Sequence, residues 1–176
     1  MCPSRPSAPL PLAILPAVFL LLTPAIGPAA DNQEQSTAIA VIDFDYIDTS
    51  GEERDQRREH ETRLEEFMSA LRRDLAQREK LRSVIPVCRP EPCSLVSSRQ
   101  GALLEAAREA GADILLIGGI HKRSTLVQNV RIEGIDTHTG QIVLDRFFTF
   151  RGDNDEAWRR AEAFISDQLA SLLARR

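Results

Sequence analysis

Residues 112 to 120, ADILLIGGI, constrain the fold of this 176-residue chain more than any other stretch. Asp113 is the only charged residue in the run, and apolar content this dense reads as a central strand. A second run, AIAVIDFD at 38–45, has the same character. Alternation puts Ala38, Ala40, Ile42 and Phe44 on one face and Ile39, Val41, Asp43 and Asp45 on the other. Strands apolar on both faces need cover on both faces, as in a parallel sheet between helices.

The other segments supply that cover. Leu64, Phe67, Met68, Leu71 and Leu75 have helical spacing. They follow a nearly all-charged stretch, GEERDQRREHETR (51–63), expected to be a solvated helical extension or a loop. His60, between Glu59 and Glu61, is expected on that solvated face, because adjacent helical residues point in different directions and do not converge on a metal. SVIPVC (83–88) reads as a short strand, which Pro86 confines to an edge or a ladder end. Ser97-x-x-Gln100 has the form of a capping box for a helix carrying Leu103, Leu104 and Ala107, with Gly111 at its C-terminal end. Residues 124–136 and 141–150 flank the turn THTG and predict an antiparallel hairpin. A last helix from about Asn154 to Leu173 carries Trp158, Ala161, Phe164, Ile165, Leu169, Leu172 and Leu173 on one stripe, with Asp153 or Asn154 as cap.

The order is β-α-β-α-β-β-β-α. Right-handed crossovers make the first three strands parallel. The expected fold is a three-layer α/β domain with a five-stranded mixed sheet, order 2-1-3-4-5, and helices on both faces.

The first thirty residues read differently. Arg5 is the only charged side chain before Asp31, and LPLAILPAVFLLLTPAIGPAA (10–30) ends in small residues. This is the pattern of a secretory signal peptide over residues 1–30, with cleavage after Ala29 or Ala30. The alternative is a retained membrane anchor, against which the repeated prolines count. Residues 31–37 are expected to be a flexible arm, and 38–176 a single domain. Cys2 would leave with the signal. Export then places Cys88 and Cys93 where disulfides persist, and they are expected to pair. Acidic and basic residues interleave with no basic block, which argues against a nucleic-acid partner.

Asp43-Phe44-Asp45 at a strand end raises the chemistry of phosphoaspartate phosphatases, with Asp43 as nucleophile. That chemistry also needs a phosphate-neutralising Lys and an acidic pair for Mg²⁺. Lys122 with Asp153 and Asp155 are the candidates, loosely placed, so a strand-terminal role for Asp43 and Asp45 is the better expectation. The sequence has no G-x-S-x-G, no H-E-x-x-H and no Cys/His cluster at ligand spacing. No cofactor or metal is therefore expected. His121 beside Lys122 is more simply structural or exposed than a base.

Residues 107–143, AREAGADILLIGGIHKRSTLVQNVRIEGIDTHTGQIV, with the opening strand IAVIDF, resemble the core of the TolB amino-terminal and curli-secretion-lipoprotein type of α/β domain. More narrowly, FDYIDTS, GADILLIGGIHKRSTLVQNVRI and FRGDNDEAWRRA resemble an uncharacterised family of exported bacterial proteins known as a domain of unknown function. Gly119 departs from the aromatic expected there in the narrower family. The broad resemblance implies a periplasmic, non-catalytic domain that binds another envelope or periplasmic protein. The narrow one implies no activity; the association of some of its members with periplasmic quinoprotein oxidation systems implies an accessory role beside such a system.

Two candidate sites follow. In a parallel sheet, ligands enter where strand order reverses. That crevice would lie near Asp45, Tyr46, Asp48, Gly119 and His121, and would serve a small-ligand-binding protein or hydrolase as the alternative function. The second candidate is RGDNDEAWRRA (151–161). Either Trp158 packs against the sheet behind a helix cap, or Arg151, Asp153, Asp155 and Trp158 form an exposed partner patch. The helical stripe favours packing.

Overall fold

The computed structural model describes residues 36–89 and 92–175. The proposed signal and most of the arm lie outside them. Among the described residues, nine elements follow in order: β1 (Thr37–Val41), β2 (Asp45–Asp48), α1 (Arg57–Ala76), β3 (Leu81–Val84), α2 (Gln100–Glu109), β4 (Ile114–Lys122), β5 (Val127–Asp136), β6 (Ile142–Arg151) and α3 (Asp155–Leu173). The sheet path is β3-β1-β4-β5-β6, with β2 also paired to β4. That is the expected strand order, with one additional strand.

The extra strand arises because the first apolar run is broken. Val41 pairs with Leu116 and Asp45 with Gly119, so this strand advances four residues while β4 advances three. The one-residue excess is a bulge, and it reverses the alternation of side chains beyond it. Phe44 therefore joins Ile39 and Val41 in one core, instead of Ala40 and Ile42 in the other. The backbone shows what diverts the chain: Asp43 N–H donates to the Cys93 carbonyl at 2.7 Å, outside the sheet. The Phe44 ring then lies over Gly118. A Cβ at Gly118 would sit 2.8 Å from Phe44 Cζ and 2.6 Å from the Arg131 carbonyl, so this position needs glycine.

The helices divide between the two faces as expected. α1 and α3 cover one face, with Phe67, Leu71, Leu75, Trp158, Ile165 and Leu169 packed on Ile39, Leu116, Ile120 and Ile132. α2 covers part of the other, with Leu103, Ala106 and Ala107 against Ala40, Ile42, Leu115 and Ile135.

Several expectations need correction. The strand expected over 83–88 is β3, Leu81–Val84, ending before Pro86 rather than running through it. The Ser97 capping box does not form: Arg99 is the N-cap of α2 and makes no side-chain cap bond. Ser97 instead accepts from Ser94 N–H and bonds the Pro92 carbonyl, inside the turn after the disulfide. Phe164 is exposed rather than core, leaning edge-on against Phe148 at the sheet margin. Asn154, one of the two proposed caps, does cap α3, its Oδ1 accepting from Ala157 N–H at 2.8 Å.

Cys88 and Cys93 form the expected disulfide. The ring it closes is short, so the chain-entropy account gives it only about 2 kcal/mol. Its larger structural role is to hold the Cys93 carbonyl that diverts Asp43. Among the described residues, no helix is long and apolar enough to cross a membrane.

Candidate functional site

Strand register assembles a buried polar cluster. Asp48 pairs with Lys122, Lys122 with Gln128 and Gln128 with Phe150, so these four share a row on the α1/α3 face. The bulge puts Asp48 and Tyr46 on that face. Lys122 continues the face of Leu116 and Ile120, and its side chain is 0 % exposed. An ammonium in such a place is stable only if ion-paired and hydrogen-bonded. Nζ donates to Asp153 Oδ2 at 2.7 Å, to Gln56 Oε1 at 2.5 Å and to Glu52, with Asp48 at 3.9 Å.

Asp153 is the counterpart hub. Besides Lys122 it meets His60 Nε2 at 2.9 Å, Arg63 Nη1 at 3.1 Å, Gln128 Nε2 at 3.0 Å and Trp158 Nε1 at 3.4 Å. Burial alone would raise its carboxyl, but the bonds from Lys122 and His60 outweigh that and hold it at about 2. Burial would also lower Lys122, and the bonds to Asp153 and Glu52 outweigh it, so the ammonium rises above its ordinary value. The cluster is thus a fixed ion pair with its charges in place at neutral pH.

Aromatic rings seal it. Tyr46 lies 4.8 Å from His60 and 5.9 Å from Trp158, centroid to centroid, and Phe150 meets Trp158 edge-on at 5.8 Å. Burial, with Asp48 and Asp153 nearby, pushes the Tyr46 phenol well above its usual range. The loop before α1 is strapped down from within. Gln56 occupies the N-cap of α1 but makes no side-chain cap bond, its amide being engaged by Lys122.

These contacts redistribute the residues singled out from the sequence. Of the proposed crevice, Tyr46 and Asp48 face the buried cluster, whereas Asp45, Gly119 and His121 face a groove on the opposite side of the sheet. His121 there bonds Thr49 Oγ1 at 2.7 Å. Of the proposed patch, Trp158 is 2 % exposed and Asp153 is nearly buried, so the four residues do not form one exposed surface. Asp155 is exposed and bonds Arg63 at 2.8 Å; Arg151 is exposed on the last strand. Asp43 accepts from Arg72 Nη2 at 2.6 Å and does not join Lys122.

His60 corrects the sequence reading outright: it is 2 % exposed and faces inward. The signal was present, since His60 lies four residues before Leu64 and extends the stripe by one turn. Gln128, Glu52, Gln56 and Arg63 were missed. Lys122 at the end of an apolar face could have prompted a search for buried carboxylates.

A second buried carboxyl lies on α3. Glu162 is enclosed, with no hydrogen-bond partner for Oε1 among the described residues. Burial, then repulsion from Asp74, pushes it up to about 7 from an ordinary 4.5. The neutral form is the one the fold favours. Its contribution is therefore full below the unfolded value and lost as pH rises toward 7. Glu162→Gln is expected to raise stability by about 1–2 kcal/mol at pH 8 and to change little at pH 4. Urea unfolding at the two pH values tests this, and a gain confined to pH 4 would contradict it.

Comparison with solved structures defines the class as a mixed α/β sheet domain found in several bacterial proteins. The hypothetical protein CT253 from Chlamydia trachomatis matches at TM-score 0.58 and 12% identity, over 80% of this chain and 99% of that one. PelC from Paraburkholderia phytofirmans, a dodecamer, matches at TM-score 0.50 and 20% identity, over 81% and 91%. TolB from Acinetobacter baumannii matches at TM-score 0.46 and 16% identity, over 79% of this chain and 28% of that one. The chain itself belongs to the family described as Protein of unknown function (DUF2380), whose model matches residues 37–169. A search among curated proteins gives no match.

Proposed function

We propose that the chain acts in the periplasm by binding another protein of the cell envelope, without catalysis. The observation that carries this reading is the part of the sheet that, among the described residues, α2 leaves uncovered. Register places Asp45, Gly119, Arg131 and Phe147 in one row and Ile47, His121, Asn129 and Thr149 in the next. Ile47, Leu95 and Phe147 are exposed there. With Arg131 and Glu133 beside them, the residues from Asp45 to His121 line a shallow groove of about 320 Å³. Single exposed apolar residues are ordinary, but an apolar patch rimmed by charge is characteristic of interaction sites.

The absence of catalysis draws support from how the ionisable groups are engaged. Lys122, His60 and Asp153 are closed off and bonded to one another, and Asp43 pairs with Arg72. The family resemblance adds the finer form of the reading, an accessory role beside a periplasmic oxidation system.

The test is site-specific photo-crosslinking in the native host, with the reactive side chain at Ile47, and at Glu109 on α2 as control. A discrete protein adduct at Ile47 and not at Glu109 is expected. Equal labelling at both positions would overturn the reading. The alternative, a small-ligand site or hydrolase, has the same groove in its favour, with Asp45 and His121 on its walls. Under it, Ile47 gives no protein adduct and native mass spectrometry finds a small molecule on the processed protein.

A further inference from the structure

The edge of the sheet formed by β6 carries an inference that does not rest on the partner-binding reading, although Phe147 belongs to both surfaces. β6 is ten residues long and, among the described residues, ends the sheet path. Its pairing with β5 runs from Val127↔Arg151 to Gly134↔Leu144 with no register shift. The opposite edge, β3, has four residues, with Pro86 soon after it. Short length and proline are common devices that keep an edge from pairing, and β6 has neither; its charges, Asp145, Arg146 and Arg151, are of both signs and can pair, and its one register shift lies before Leu144. Aromatic side chains flank it on both faces instead. Phe147 is 63 % exposed on the open face, and Phe164 of α3, 58 % exposed, stands edge-on to Phe148 on the other.

We infer that two copies of this chain pair antiparallel through β6, joining their sheets about a twofold axis at Phe148. Charge favours this register, because within the strand only an axis at Phe148 sets Asp145 opposite an arginine. In an antiparallel pair, directly opposed residues share a face and interact most strongly. With the axis at Phe148, Asp145 opposes Arg151 of the partner subunit, Phe147 opposes Thr149 of the partner subunit, and Arg146 opposes Phe150 of the partner subunit. Each pair occurs twice, and no like charges meet. An axis at Arg146 would set two arginines against each other. An axis at Phe147 would leave Asp145 opposite a threonine. The chosen register spans only residues 145–151, and the axis keeps both α3 helices on one face. Phe164 contacts the residue on the axis, so the two copies of this ring flank it and cover one another. Isologous pairing of this kind closes on itself as a dimer.

Sedimentation equilibrium of the naturally processed protein, up to about 100 µM, tests the inference. A reversible dimer is expected. Arg151→Glu and Asp145→Lys should each weaken it by about tenfold or more, and the double reversal should recover most of that loss. Asp145 also bonds Arg131 in its own chain, so each variant is checked by thermal melting. Phe147→Lys, at an exposed position, provides a second route to the monomer with the fold intact. A monomer throughout the concentration range overturns the inference. So does a double reversal no better than either single change, or a β6 edge that crosslinks to a different protein.

Discussion

Lys122→Met is expected to destabilise the fold by about 3–5 kcal/mol, the range for removing one partner of a buried ion pair. Methionine keeps most of the length of the side chain, so the loss would be electrostatic. Asp153 would retain His60, Arg63 and Gln128, but Glu52 and Gln56 would lose the ammonium they share. Lys122→Arg would not be conservative, because a planar guanidinium does not fit a closed site shaped around a point charge. The pH dependence has a fixed sign. Asp153 titrates near 2 when folded and near 3.8 when unfolded, so its contribution is present above about 4 and lost as pH falls toward 2. The gap between parent and variant should therefore be full at pH 7 and shrink on acidification. Urea unfolding at pH 7 and pH 3 measures both. A variant within about 1 kcal/mol of the parent at pH 7 would mean that the ion pair does not hold this junction together.

Trp158→Ala is the second large effect, expected to cost about 3–5 kcal/mol. The ring is buried among Tyr46, His60, Phe67 and Phe150, with centroids between 5.8 and 6.4 Å. Alanine would leave a cavity that a sheet and two helices cannot readily collapse. It would also open a path for water to the Asp153 carboxylate and weaken the ion pair beneath. Trp158→Phe should cost less, keeping a ring while giving up the long bond from Nε1 to Asp153. Trp158 is the only tryptophan, so the parent's intrinsic fluorescence reports this one location. Circular dichroism is then the common measure for all three proteins. If Trp158→Ala leaves the unfolding midpoint unchanged, the packing role assigned to this side chain is wrong.

The sheet and its strand order were legible because they follow from local apolar pattern and from the handedness of crossovers. ADILLIGGI and AIAVIDFD both lie at the centre of the sheet, and the THTG hairpin formed as read. The bulge at 42–44 was not legible, because its cause is a hydrogen bond from Asp43 to a carbonyl fifty residues later in the chain. That single insertion decided which face Tyr46 and Asp48 would occupy, and so divided the proposed crevice. His60 was misread for a related reason. The charged stretch around it resembles a solvated face, and what draws the ring inward is Asp153, 93 residues downstream. The Ser97 box failed through local competition, its hydroxyl being taken by Ser94 and Pro92 before it could cap α2.

The strap formed by Glu52, Gln56 and His60 bears on the order in which the chain can settle. Its anchors, Lys122 and Asp153, lie between 66 and 93 residues downstream of the groups they hold. Contacts at such separation form only after the loops between them have closed. A chain emerging from its amino terminus therefore presents the first turn of α1 and the loop before it early, with their buried charges unmatched until Lys122 has arrived for Glu52 and Gln56, and Asp153 for His60 and Arg63. A chain interrupted before Asp153 would have its central strands but no means of closing this end of the sheet. The approach to α3 thus completes the contacts that fix the first helix.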